Sequence, residues 1–293
     1  MKVHCPKCFP RTQVCPKVIC DGRFYRTSDS TWNKRYKCKG CRSRFSTATF
    51  NPCYRQKKRR KNAAINHLLS VGVSMRECAR TLNIHRTTVQ RKKTFLAVKA
   101  TEWLTHFREN YQTSSIQFDD IETFEHTKYK PISITIAVEK HTRLILAVEA
   151  ASMPAKGLLV KKAFKKYGKR RDERRAMRRK LLHDLKVCAS DGLLIESDQN
   201  PYYAPDVKEI LPHANHQTFK GLRGCVTGQG ELKGGGYDPL FSLNHTCAML
   251  RANMNRLFRR TWCTTKKIKG LEEHLAIYAR NHNLRILAAQ ATN

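Results

Sequence analysis

The sequence predicts a multidomain α+β chain in three parts: a cysteine-clipped ribbon over residues 1–50, a three-helix unit over 62–112, and a mixed sheet flanked by helices over 113–293. Two paired-cysteine knuckles predict the first part. A helical apolar period broken at one glycine predicts the second, and β-prone runs that later alternate with helical stretches predict the third. Residues 51–61 join the first two parts as a basic linker at the charge run RQKKRRKN.

Charge limits what such a chain can bind. Lys and Arg number 57 against 23 Asp and Glu, a formal net charge of +34. An excess of this size points to a polyanionic partner, with nucleic acid first. A membrane surface is the competing polyanion, but the longest apolar runs, ISITIAV and LILAV, fall far short of the roughly 18 residues a spanning helix needs. No signal-peptide pattern opens the chain, so the expectation is a cytoplasmic, nucleoid-associated protein with no membrane partner. In that compartment twelve cysteines argue for metal ligation and scattered core thiols rather than disulfides.

In the ribbon, HCPKC holds Cys5 and Cys8, and RYKCKGCRSRFS holds Cys38 and Cys41. Each C-x-x-C turn points two thiolates at one ion, and two turns make the closed sulfur site of structural Zn²⁺. The loop between the knuckles is longer than the usual ribbon spacing and carries Cys15 and Cys20, either of which could replace a ligand. A segment this short and polar has little core, so the metal supplies much of its folding free energy. Basic residues crowd the second knuckle, which suits a module lying against phosphates.

In the three-helix unit Ile65, Leu68 and Leu69 make one apolar face, Gly72 breaks the helix, and Ser74 with Glu77 forms an S-x-x-E capping box for the next. That second helix packs through Cys78, Ala79 and Leu82. A third begins near His85 and buries Val89, which leaves Arg86, Thr87, Thr88, Gln90 and Arg91 to reach base edges or phosphates, a helix-turn-helix arrangement. An ordinary three-helix packing unit is the plainer reading; the ribbon and the charge favour DNA.

From residue 113 three strand-like runs follow, SIQFDDIETF, KPISITIAVEKH and TRLILAVEAAS, as an antiparallel meander. A long basic helical stretch runs from Lys156 to about Cys188. DGLLIESDQNPYY is a fourth strand ending in Asp198, and PDVKEIL a short helix. HQTFKG is a fifth strand, followed by a Gly-rich loop, the helix LNHTCAMLRANMNRLFRR and a closing helix at LEEHLAIYARNHN. This order is that of an RNase H-like α/β core, in which the first and fourth strands lie side by side and can share a metal site. Mg²⁺ or Mn²⁺ prefers carboxylate oxygens, and two such ions activate a nucleophile and stabilise both oxygens of a phosphodiester exchange. Asp198 read alone is a turn-forming aspartate before Asn200 and Pro201. Its partnership with acids on the first strand changes that reading.

The chain resembles transposases of bacterial insertion sequences, the zinc-ribbon, helix-turn-helix, RNase H-like enzymes related to insertion sequence one. The paired knuckles, SMRECARTLNIHRTTVQR, DDIETF, SDQNPYY and NHTCAMLRANMNRLFRR carry the resemblance, in that order along the whole length. Such enzymes carry an acid-acid-x-x-x-aromatic pattern on the first strand with the leading acid catalytic. Matched to DDIETF, this implies Asp119 as metal ligand beside Asp198, with Asp120 as the second choice. A strand buried on both faces shows no alternation that would separate the two.

On the last helix the family usually places Glu, where this chain has Asn244; some related enzymes use Asn, whose carbonyl can still take a metal bond. Arg251 shares a neighbouring helix face and could hold a phosphate. The rival third ligand is Glu231 in the Gly-rich loop, and Asn244 stands ahead because rigid elements preorganise a site better than loops. The resemblance implies binding to the terminal inverted repeats of an element, cleavage and strand transfer into target DNA, and a homodimer or larger synaptic complex. A catalytically inactive DNA-binding regulator and an RNase H-like nuclease are the alternatives. Trp32, Trp103 and Trp262 read as packing residues.

Overall fold

The computed structural model describes residues 3–13, 16–27, 30–220, 238–258 and 263–292. The chain divides into two compact units, Met1–Ala64 and Ile65–Asn293.

In the first unit a short helix α1 (Phe9–Thr12) precedes a three-stranded antiparallel sheet, β1 (Val18–Arg26), β2 (Thr31–Cys38) and β3 (Arg44–Ser46), in the order β1-β2-β3. Gly22, at φ +83°, sits where the β1–β2 register slips between Cys20 and Arg23, a backbone angle that L side chains resist. The core is small: Cys5, Cys38 and Phe45 are buried, with Val3, Cys8, Val18 and Tyr36 packed against them. Trp32, expected to pack, is 64% exposed, with the Arg23 guanidinium 5.1 Å from its ring. On a two-sided ribbon with so little interior, an aromatic on the outer face has nothing to bury against.

Helix α2 (Lys61–Ser70) spans the boundary between the units, and α3 (Met75–Thr81) and α4 (Arg86–Glu109) follow it in the second. Gly72 at φ +85° ends α2, and the Val73 N–H returns to the Leu68 carbonyl at 3.1 Å. Ser74 Oγ accepts the Glu77 N–H at 3.1 Å, the first half of the expected box; the Glu77 carboxylate instead pairs with Arg80 at 3.0 Å. Ile65, Leu69, Cys78, Val89, Ala97 and Ala100 form one cluster with Ile277 of α9 (Ile268–Ala291), so these helices share a core with the C-terminal helix.

A five-stranded mixed sheet fills the rest of the unit: β4 (Thr113–Phe124), β5 (Pro131–Glu139), β6 (Ile145–Ser152), β7 (Ala189–Asp198) and β8 (Asn215–Phe219). Its order is β6-β5-β4-β7-β8, with β4 antiparallel to β5 and parallel to β7. The first and fourth core strands are therefore neighbours. Helices α4, α8 (Phe241–Asn253) and α9 cover one face through Leu104, Leu243, Leu250, Leu271 and Tyr278. Helices α6 (Arg174–Leu185) and α7 (Tyr203–Ile210) cover the other through Leu181, Leu182, Tyr203 and Val207. Burial on both faces explains why β5 reads as an almost unbroken apolar run.

Two helices differ from expectation. The basic stretch from Lys156 is split into α5 (Leu159–Tyr167) and α6 by Gly168 at φ +72°, after which Asp172 takes the Arg174 N–H at 3.2 Å. The last-helix motif ends at Asn253, because Met254 is extended and a short 3₁₀ turn replaces the next helical turn. Among the described residues no helix is long and apolar enough to cross a membrane.

Candidate metal centre and acidic site

The N-terminal knuckles converge. Sγ of Cys5 lies 3.6 Å from that of Cys41, Sγ of Cys8 lies 3.9 Å from that of Cys38, and all four lie within 4.8 Å of one another. A tetrahedron built on metal–sulfur bonds of about 2.3 Å has edges of about 3.8 Å, so this set fits one zinc ion. Cys38 and Cys41 flank the turn from β2 to β3, and Cys5 and Cys8 come from the segment before α1. Hydrogen bonds from Ser43 hold Cys41 down to about 6, while its hydrogen bond with Cys41 pushes Cys8 up to about 12. Cys20 stands on β1, exposed, with its Sγ toward the Gly22 carbonyl, outside the cluster. Cys15 lies outside the described residues.

The acids of the first and fourth core strands also converge. The parallel register pairs Gln117 with Glu196, and two residues further on it carries Asp119 toward Asp198. Parity then separates Asp119 from Asp120. Ile121 packs with Leu243, and Gln117 accepts the Leu243 N–H at 3.0 Å, so the odd positions of β4 face α8. Phe118 packs against Tyr203, so the even positions face α6 and α7, although the Tyr203 hydroxyl also reaches Asp119 Oδ1 at 3.1 Å. Asp120 accordingly accepts a hydrogen bond from Thr135, its register partner on β5.

Burial pushes the Asp119 carboxyl up to about 6; the charges of Asp198 and Asp120 push the same way, against the opposing hydrogen bonds from the Asp120 N–H at 2.7 Å and the Tyr203 hydroxyl at 3.1 Å. The Tyr203 hydroxyl is itself pushed far above its usual range by burial and by all three aspartates, so it stays protonated and acts as a fixed donor.

The contrast with the other buried acids is informative. Asp206 is matched by Arg175, Arg178 and Arg179, and Glu196 by Lys140 at 2.7 Å and the Gln117 amide at 2.8 Å. Among the described residues no Lys or Arg forms an ion pair with Asp119, Asp120 or Asp198, in a chain carrying +34. Asp120 has the Arg174 charge near it, whereas Asp119 and Asp198 are two neighbouring carboxylates without an ion pair among the described residues, a pair chemically suited to a hard divalent ion.

The third position is only partly assembled. Asn244 lies in the first turn of α8, next to Leu243 and thus close to the Gln117 contact, but its own Nδ2 donates to Asp238 Oδ2 at 2.9 Å. The structure gives no contact from Asn244 to Asp119 or Asp198. Asp238 is an acid that the sequence reading missed; it also accepts the Leu240 N–H at 3.1 Å, and its neighbour Pro239 takes the Gln117 amide at 2.7 Å. Its signal was an Asp just ahead of a helix start, which reads as an ordinary cap. Glu231 lies outside the described residues, as does Trp262. Trp103 stacks on Phe107 at 5.2 Å, as a packing residue should.

Of the residues expected on DNA, Arg86, Thr87, Gln90 and Arg91 are exposed and Thr88 half-buried in the first two turns of α4, where His85 Nδ1 accepts the Thr87 N–H at 3.3 Å. Arg251 stands apart from them, lining a cavity of about 440 Å³ beside Glu122 and Thr123. No protein-family model matches the chain, and no curated protein matches it.

Proposed function

We propose that the protein is a DNA transposase whose N-terminal modules bind the ends of its element and whose sheet carries the phosphodiester chemistry. One observation carries the reading most: Asp119 and Asp198 stand side by side on adjacent parallel strands without a cationic partner among the described residues, in a chain rich in cations. The strand order supports an RNase H-like core, and the sulfur cluster and the three-helix unit each support sequence-directed DNA binding.

Asp119 and Asp198 would hold Mg²⁺ or Mn²⁺, which would supply nucleophile activation and charge stabilisation at the scissile phosphate. The chain's own residues prepare that site. Tyr203 and the Asp120 N–H fix the rotamer of Asp119 by holding Oδ1. Asp120, tied to Thr135 on the other face, braces the strand rather than the ion. The bond from Asn244 Nδ2 to Asp238 fixes the amide so that its Oδ1 is turned from Asp238 and left as an acceptor. Four cysteines would hold the zinc that sets the ribbon's fold.

The regulator reading draws on that same Asn244, a neutral group where an acid is usual. The deciding experiment is Mg²⁺- or Mn²⁺-dependent cleavage and joining of a labelled duplex carrying the element's own end. Loss of both activities in Asp119→Asn and Asp198→Asn, with activity kept in Asp120→Asn, supports the transposase. A wild type that binds the end and never cuts it leaves the regulator, and cutting without joining leaves the nuclease.

A further inference from the structure

A second site lies where the helix-turn-helix meets the C-terminal helix. A cavity of about 830 Å³ is lined by Arg76 and Arg86 on one wall and by Lys266, Lys267 and Lys269 on the other, the latter at the entry to α9. Beneath them lie Lys93, fully buried, and Arg256. Glu273 is the sole acid among the described lining residues, and it is already engaged: Lys93 pairs with it, and Thr94 Oγ1 donates to it at 2.9 Å.

The buried floor carries an unbalanced charge. Arg256 Nε donates to His274 Nδ1 at 3.2 Å, and His274 Nε2 lies 2.8 Å from the Leu69 carbonyl, which fixes His274 as the neutral tautomer with its proton on Nε2. Burial drives its pKa down to about 3, so His274 adds no charge of its own. Lys93 and Arg256 therefore face one carboxylate, and Lys93 is further anchored to the Gly270 carbonyl at 3.1 Å. Burying a cation without a counterion is unfavourable, and an anion entering the cavity would relieve that cost. The N-terminal dipole of a 24-residue helix adds to the attraction.

We infer that this cavity seats a backbone phosphate of the DNA held by the helix-turn-helix, with α9 as the second jaw of that grip. The inference rests on the DNA-binding reading of α4 and extends it to residues far along the chain. Arg86 and Gln90, exposed on the first two turns of α4, line the same cavity, which puts the phosphate beside the residues expected to read bases. The described lining contains no Phe, Tyr or Trp on which a free base could stack, so a sugar–phosphate unit fits better than a free nucleotide.

The test compares full-length variants on a random-sequence DNA duplex across a salt series, each first shown to fold and melt as the wild type. Lys266, Lys267 and Lys269 are exposed, so the triple change to Gln removes cavity charge without disturbing the core. Lys161→Gln, Lys162→Gln and Lys165→Gln on α5 remove the same charge elsewhere. For every phosphate no longer neutralised, the slope of log affinity against log salt becomes shallower by about 0.9. The expected result is a slope shallower by at least that amount in the cavity variant, with little change in the α5 variant. An equal drop in both would reduce the effect to bulk charge and overturn the cavity. An unchanged cavity variant beside a weakened Arg86→Gln would overturn it while leaving α4 as a DNA reader. A wild type that binds no duplex removes both.

Discussion

The cysteine cluster and the aspartate cluster solve the same problem, holding like charges together, in opposite ways. The four thiols belong to a unit with almost no interior, where Cys5, Cys38 and Phe45 are the buried apolar centre. There the ion would be the core, so ligand convergence and folding are one event. The aspartates sit on a sheet whose two faces are already packed with Ile, Leu and Phe. That scaffold buries Asp119 near Asp198 whether or not an ion is present, and burial first, with the Asp198 charge after it, raises the Asp119 pKa. The first site would depend on a metal to hold its shape; the second is held by the packed sheet itself.

Substitutions can break this contrast, beginning with the largest effect. Cys38→Ser should abolish stoichiometric zinc and unfold the ribbon, since structural zinc sites contribute on the order of 10 kcal/mol to such modules. Zinc content and proteolysis within residues 1–64 measure this, and one ion per chain surviving the change would refute the cluster. Asp119→Asn should do the reverse of a usual active-site loss: activity disappears, while the metal-free protein becomes more stable at pH 8 by up to about 3 kcal/mol, the worth of a shift from 3.8 to about 6.

The sign follows from proton uptake. The folded state binds the Asp119 proton more tightly than the unfolded chain, so this group's contribution falls as pH rises between about 4 and 6 and stays unfavourable above. Thermal melts of both proteins from pH 4 to 8 should converge at the acid end; a parallel pair of curves would refute the assignment. Added Mg²⁺ should stabilise the wild type at pH 8 and lose that effect below about pH 6, where the proton competes. Ser74→Ala, at the N-cap of α3, should cost only about 1 kcal/mol, read by denaturant melts, with metal content unchanged.

Between these two clusters lies the boundary of what sequence can reveal. The four cysteine ligands were legible because each pair is local: a C-x-x-C turn places both thiols by itself. The Ser74 cap and the Gly72 break were legible for the same reason. The facing of Asp119 and Asp120 was not, because a strand covered on both faces has no polar side to mark its parity, and only the contacts of Gln117 and Phe118 set the two positions apart. The Gly168 break was written in the chain but hidden within a run of helix-favouring Lys and Arg.

From the chain alone come the net charge of +34, the paired knuckles, the order of strands and helices, and the residue types of the candidate site. Folding in space settles which charges are neutralised. Asp206 meets its arginines from a neighbouring helix, Glu196 meets Lys140 across the sheet, and Lys93 meets Glu273 from the far end of the chain, whereas no described Lys or Arg forms an ion pair with Asp119 or Asp198. Charge pairing depends on distance through space, and chain order carries no measure of that distance.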